Sequence, residues 1–354
     1  RRHMVTQARR LPVPTLAGRL PEYAVPAFAA LLVALLAVWL GVNLIKTPSE
    51  FYRLFLIGLT NGAIYGLVAL GYSLVYGILE LINFAHGDVF MLGGMLVATM
   101  VAGFALEGES GLFLWGMILL MLVIVMAFCA TINTTIELVA YRRLRHAPRL
   151  APLITAIGMS FILQNIGLVW KGARPTSVDS ILPRGEVFSV SGVAYTWDKL
   201  IVLLFTVPVL LLLILLVQRT RQGKAMRATA QDRDASAMMG INVNRTISFT
   251  FFIAGSLAGS AGLLYALYIT NIRYNEGFRL GLIAFTAAVV GGIGNLPGAV
   301  LGGLVIAMVE SFNNGLGWAT PGSDWTTSII FAILIIILVF RPEGLLGERT
   351  PEGG

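Results

Sequence analysis

Leu54-Phe55-Leu56-Ile57-Gly58-Leu59-Thr60-Asn61-Gly62-Ala63-Ile64-Tyr65-Gly66-Leu67-Val68-Ala69-Leu70-Gly71-Tyr72-Ser73-Leu74-Val75-Tyr76-Gly77-Ile78-Leu79 contains no Asp, Glu, Lys or Arg. About 20 apolar residues in a helix cross the roughly 30 Å hydrocarbon layer of a bilayer, so this run reads as a membrane span. Lipid offers a backbone amide no partner beyond its own segment, which makes the span helical. At about 100° per residue, Asn61, Tyr65, Tyr72 and Tyr76 share one polar and aromatic stripe. Gly62, Gly66, Ser73 and Gly77 form a small-residue face beside it, suited to the close approach of another helix. Packing accounts for the glycines and interfacial anchoring for Tyr76. Asn61 and Tyr65, deeper in the run, suit either a cavity lining or a buried interhelical hydrogen bond.

The same pattern repeats outward. Uncharged runs cover Tyr23 to Ile45, Val89 to Leu106, Gly111 to Ile136, Leu150 to Trp170, Leu200 to Gln218, Thr246 to Ile272, Leu280 to Val309 and Trp325 to Phe340. Hydrophobic residues are 57% of the chain and charged residues 12%, against about a quarter charged in soluble domains. The expected fold class is therefore all-α: a polytopic integral membrane helical bundle with about eight full spans plus a broken Gly/Pro-rich helical hairpin. The net charge of +7 sits in short loops, where it sets orientation and implies no nucleic-acid partner. With the N-terminus and C-terminus inside, 17 of the 25 Lys and Arg residues fall in inner segments and eight in outer ones, Arg273 and Arg279 among the latter. Cys129 is the only cysteine, so no disulfide or thiolate metal site forms within one chain. The N-terminal apolar run is too long for a cleaved signal core and reads as a retained anchor.

Three segments carry chemistry. Leu280 to Val309 holds Gly291, Gly292, Gly294, Pro297 and Gly298, too many breakers for one helix. It reads as two short arms of about 22 Å each, meeting at Gly291 to Gly298, with a single full crossing as the alternative. Asn83-Phe84-Ala85-His86-Gly87-Asp88 is wedged between two apolar runs. Asn83 there suits an N-cap for the helix through Val89 to Leu106, or the motif starts a helix whose positive end and polar groups face a passage. On the cytoplasmic side, outside the bilayer, Ala225 to Met239 has helix formers with no Pro or Gly, and Gly240 suits the C′ position. This short helix is either a solvated connector or a piece that docks on another protein.

Absent motifs also bear on function. No phosphate-binding Gly-x-x-x-x-Gly-Lys-Ser/Thr loop, His-Glu-x-x-His or Gly-x-Ser-x-Gly elbow occurs, so the chain lacks the usual signatures of a nucleotide hydrolase, a metalloprotease or a serine hydrolase. Glu80, Asp88, Glu137 and Glu310 fall near the boundaries of apolar runs. Ion relays place carboxylates deep in the membrane, so this placement disfavours coupling to an ion gradient.

The run Asn61 to Tyr72, with Gly77 and Ile82 to Asp88, resembles the branched-chain amino acid ABC importer permeases of the LivH type. So do Ala156-Ile157-Gly158-Met159-Ser160 with Gln164-Asn165, Gly223 to Ala228, Met239-Gly240-Ile241-Asn242, Phe285 to Ala299, and Arg341-Pro342-Glu343-Gly344-Leu345-Leu346-Gly347, all in the family's order. The resemblance implies a permease in the bacterial cytoplasmic membrane that binds no cofactor itself. It implies a second homologous permease, two cytoplasmic ATPase subunits carrying ATP and Mg, and an extracytoplasmic substrate-binding protein as partners. The implied cargo is branched-chain or other hydrophobic amino acids, with urea or short-chain amides the alternative within the family and an ion-coupled secondary transporter the alternative outside it. Residues 1–22 then read as a cytoplasmic tail, 23–46 as an extra N-terminal transmembrane anchor without counterpart in shorter members, 47–340 as the permease domain with a coupling segment at 219–246, and 341–354 as a cytoplasmic tail. Expected pathway residues are Asn61, Tyr65, Tyr72, Asn83, His86, Gln164 and Asn165. Ala228, Asp232, Ala235 and Gly240 are expected at the ATPase contact, and Gly291, Gly292, Gly294, Pro297 and Gly298 at the broken-helix hinge. The coupling segment departs from the Glu-Ala-Ala loop of type I importers, having Ala230, Gln231, Asp232 and Ala235 before Gly240.

Overall fold

The computed structural model describes residues 24–347 other than 107, 146, 149, 184 and 191. The tail at 1–22 and the arginines 149, 184 and 349 used in the charge count lie outside the described residues. Helix α1, Ala24–Lys46, belongs to a compact unit ending at Thr47. The second unit begins at Pro48 and holds α2 (Pro48–Leu79), α3 (Ala85–Gly103), α4 (Gly111–Ile136), α5 (Leu150–Lys171), α6 (Trp197–Arg219), α7 (Arg221–Gln231), α8 (Arg233–Met238), α9 (Val243–Ile269), α10 (Glu276–Gly291), α11 (Leu296–Gly315) and α12 (Thr326–Phe340). Among the described residues, eight helices are long and apolar enough to cross a membrane.

Burial divides these helices into two classes. The apolar stretch of α3 is 83% buried, whereas that of α12 is 11% buried. Helices α2, α3, α9 and α11 make the protein core, while α4, α5, α6 and α12 turn Leu119, Val123, Phe161, Leu212 and Val339 outward. A soluble protein would aggregate through such faces, so they are the lipid-facing surface.

The small-residue face of α2 packs on α11, which runs antiparallel to it. A Cβ added at Gly62 would lie 2.8 Å from Leu304, and one at Gly303 would lie 2.6 Å from the Gly66 nitrogen. Farther along, the Gly294 N–H donates to the Ser73 hydroxyl at 2.9 Å. The broken segment is a hairpin, as its glycines indicate. Gly292 (φ 108°) and Gly294 (φ 92°) take left-handed backbone, and the Asn295 side chain caps α11 by accepting from Gly298 N at 2.9 Å. The arms are unequal: α10 has 16 residues and α11 has 20, so only α11 reaches about 30 Å. The chain at Leu345 and Leu346 donates to the Val290 and Gly291 carbonyls, at 2.9 and 3.0 Å, which satisfies the end of α10.

Outside the helices, β1 (Thr176–Ser177) pairs with β4 (Asn271–Ile272), and β2 (Glu186–Val190) forms a hairpin with β3 (Val193–Thr196). The first pair ties the loop after α5 to the turn between α9 and α10.

Three expectations need correction. The helix expected over Ala225 to Met239 breaks at Asp232, whose backbone is extended (φ −154°, ψ 115°) while its carboxylate accepts from Asp234 N and Ala235 N at 2.9 Å each. A carboxylate that caps a new helix stops the old one. Asn83 does not cap α3, whose N-cap is Phe84 with no side-chain bond. Arg279, counted with the outer loops, lies within α10.

Candidate functional site

Helix α3 begins inside the protein rather than at its edge. The His86 ring occupies the space that a Cβ on Gly71 would need, two helical turns before the end of α2. His86 stacks edge-on against Tyr72 with ring centroids 4.8 Å apart, and Tyr72 in turn meets Phe285 of α10 at 6.0 Å. Glycines allow this meeting of α2, α3 and α10. A Cβ at Gly281 would lie 2.9 Å from the Tyr72 hydroxyl, and one at Gly277 would lie 2.8 Å from the Asp88 Cα. The Tyr72 hydroxyl and both His86 ring nitrogens are buried without a well-formed hydrogen bond in this chain.

Asp88 is wholly buried. Its Oδ2 accepts from the Ser160 hydroxyl, and Gln164 Nε2 donates to Ser160 Oγ at 3.1 Å. Ser160 is midway along α5, so this carboxylate sits at mid-span depth. Glu310 lies nearer a span end, since its neighbour Ser311 donates to Leu54 O at 2.6 Å, and the Tyr65 hydroxyl reaches it at 2.6 Å. For Asp88, proximity to a run boundary in sequence therefore did not mean proximity to a span end, and the inference against deep carboxylates fails there. Glu137 is also fully buried, in a π-helical turn that ends α4 (Glu137–Tyr141), where Arg142, Arg145 and Ser248 surround it.

Asn83 belongs to a separate buried chain of bonds. It donates to Asn133 Oδ1 at 3.2 Å and accepts from the Tyr141 hydroxyl at 2.9 Å, while Asn133 donates to the Phe251 carbonyl at 2.7 Å. This pins the start of α3 to α4 and α9. Asn61 is half-buried on α2. Asn165 is not part of these clusters: it is exposed on α5 among Phe161, Ile162, Ile166 and Trp170, and donates to its own helix at Phe161 O.

The inner segment is built in two parts. Helix α7 is clamped to the bundle: Thr220 caps it through Gly223 N at 3.0 Å, Arg227 donates to Val217 O, and Met226 is buried. Arg233, the first residue of α8, donates to Ile78 O at 2.9 Å. From there α8 projects. It closes on Gly240 (φ 84°), with Gly240 N bonded to Ala237 O and Ile241 N to Ser236 O, both at 3.0 Å, the Schellman pattern expected of a C′ glycine. Ala228 and Ala235 are half-buried, Asp232 and Gly240 exposed, and Met238 and Met239 are each 82% exposed. A cleft of about 310 Å³ lies behind this segment, lined by Ile78, Glu80, Arg145, Thr229, Gln231 and Arg233 among others.

Residues 54–339 match the family described as branched-chain amino acid transport system, permease component. The chain belongs to this permease family. It is 39% identical to the high-affinity branched-chain amino acid transport permease BraD of Pseudomonas aeruginosa, over 83% of this chain and 95% of that one. Against the LivH permease of Escherichia coli K12 it is 35% identical over the same shares, and against a probable LivH permease of Methanocaldococcus jannaschii 28%, over 89% and 96%. No solved structure matches. The resemblance in the sequence motifs thus stands, and the permease is a multi-pass membrane protein. Its family match spans α2 to α12 and so contains every candidate residue described above, whereas α1 precedes it.

Sequence reading missed Asp88, Ser160, Asn133, Glu137, Tyr141, Arg279 and Glu310 as site residues. A signal existed for some of them. Asn133 and Glu137 are four apart, as are Ser160 and Gln164, which puts each pair on one helix face.

Proposed function

We infer that this permease is the passage subunit of an ATP-driven importer for branched-chain or other hydrophobic amino acids, in the bacterial cytoplasmic membrane with both termini cytoplasmic. It assembles with a second homologous permease, two ATPase subunits that bind ATP and Mg, and an extracytoplasmic substrate-binding protein. The names of its relatives and the excess of positive charge in inner segments support this reading.

The observation that carries it is the projecting α8 with its bare methionine pair. Two methionines this exposed on a chain that otherwise turns its apolar side chains to lipid are a docking surface, and the flexible thioether suits a groove on another protein. Because α7 holds α8 to the inner ends of α2 and α6, movement of a docked ATPase is transmitted to the spans. Alternating access follows, with Asn61, Tyr65, Tyr72, His86 and Gln164 on the α2, α3 and α5 segments that rearrange.

The test is a pair of variants. Met238→Asp with Met239→Asp lowers affinity for the ATPase by about tenfold or more, the scale of a lost interface anchor, while the permease still folds. Gly240→Val forces a β-branched residue into left-handed backbone at a cost of about 1–2 kcal/mol, and ATP hydrolysis continues without uptake. Wild-type ATPase co-purification and uptake in both variants would refute the docking role. An ion-coupled secondary transporter is the second reading, and the deep carboxylate of Asp88 is what favours it.

A further inference from the structure

Arg279 stands at a depth where a cation does not face lipid. It lies on α10 between Gly277, packed on Asp88, and Gly281, packed on Gly87 and Tyr72. Since Asp88 is bonded to the middle of α5, Arg279 is level with the centre of the spans. Its side chain is nevertheless 50% exposed. Membrane-embedded charges face a water-filled cavity or a bundle interior, so this face of α10 is turned away from lipid.

The groups around Arg279 carry both signs. Glu276, one helical turn away, is its ion-pair partner and accepts a long hydrogen bond from Tyr265 at 3.5 Å. Glu310 on α11 holds the Tyr65 hydroxyl at 2.6 Å. No cation among the described residues forms a salt bridge with Glu310, although Arg279 acts on it through space. The free part of the guanidinium fork and the second Glu310 oxygen are therefore unused. Phe278, 37% exposed, supplies apolar surface next to them.

We propose that Arg279, Glu310 and Tyr65 recognise the zwitterionic head group of an amino acid within the passage, the guanidinium taking the α-carboxylate and the Glu310 carboxylate the α-ammonium. This rests on the importer reading above and adds the reason for its cargo class. An Arg fork matches a carboxylate in two parallel hydrogen bonds, and a carboxylate only accepts, which suits an ammonium donor. A neutral solute such as urea leaves both charges uncompensated and is rejected.

The experiment places a reporter thiol at the site in the full chain by Phe278→Cys, the native Cys129 being buried. L-Leucine slows maleimide labelling of this thiol and urea does not. In Arg279→Gln or Glu310→Gln backgrounds the leucine concentration needed for protection rises about tenfold or more, as for a lost charge-assisted hydrogen bond. Exchanging the pair, Glu276→Arg with Arg279→Glu, keeps an ion pair but does not restore protection. Absence of leucine protection in the reporter, equal protection by urea, unchanged protection in the Gln variants, or its restoration by the exchange would each overturn the proposal. Labelling needs no ATPase, so this outcome is independent of whether one docks on α8.

Discussion

Glu137→Ala destabilises the permease by about 3–5 kcal/mol, because it leaves buried positive charge uncompensated. Glu137 is fully buried. Arg145, whose side chain is 8% exposed, and Arg142, 39% exposed, both pair with it, and the Ser248 hydroxyl donates to it at 2.6 Å. Arg145 also binds Asn244 and so ties the end of α4 to the start of α9. Removing the carboxylate leaves Arg145 buried without its counter-charge at the junction of α4 and α9. Thermal unfolding of the detergent-solubilised protein measures the loss. Glu137→Gln, which keeps an acceptor for Ser248, loses less, and a melting curve for Glu137→Ala superimposable on wild type would contradict the account.

Gly303→Leu separates α2 from α11. A Cβ at Gly303 would lie 2.6 Å from the Gly66 nitrogen and 2.7 Å from its Cα, so the obstacle is backbone and no side chain can swing aside. Overpacking of this kind costs about 1–3 kcal/mol, or more where backbone must move. The hinge at Gly294 rests on the same helix pair through Ser73, so transport fails even in the fraction that folds. Gly158→Ala on α5 is the control. Nothing lies within 4 Å of its added Cβ, and replacing a mid-helix glycine by alanine stabilises by about 0.5–1 kcal/mol. Equal melting temperatures for Gly303→Leu and Gly158→Ala would contradict the packing assignment.

The spans were legible in the sequence because lipid imposes one solution on a long uncharged run, and the hinge because Gly291 to Gly298 combines residues that no continuous helix tolerates. The small-residue face of α2 was legible for a similar reason: only close helix packing uses Gly62 and Gly66 at that spacing. What escaped the sequence was depth and partnership. Asp88 looks peripheral beside a run boundary, yet α3 starts inside the protein, and its carboxylate meets a serine on α5. Asn83 finds its partners at Asn133 and Tyr141, on a helix that local sequence does not connect to it. Asp232 shows a competition that composition cannot decide, since alanines on both sides favour one helix while its side chain offers to start another.

In the proposed importer this chain forms a passage and a docked ATPase supplies the energy. The direct measurement is leucine accumulation in vesicles containing the purified permease alone, under an imposed proton or sodium gradient, compared with vesicles holding the complete complex and ATP. Uphill accumulation should occur only with the complex and ATP; accumulation against a gradient by this chain alone would contradict the account.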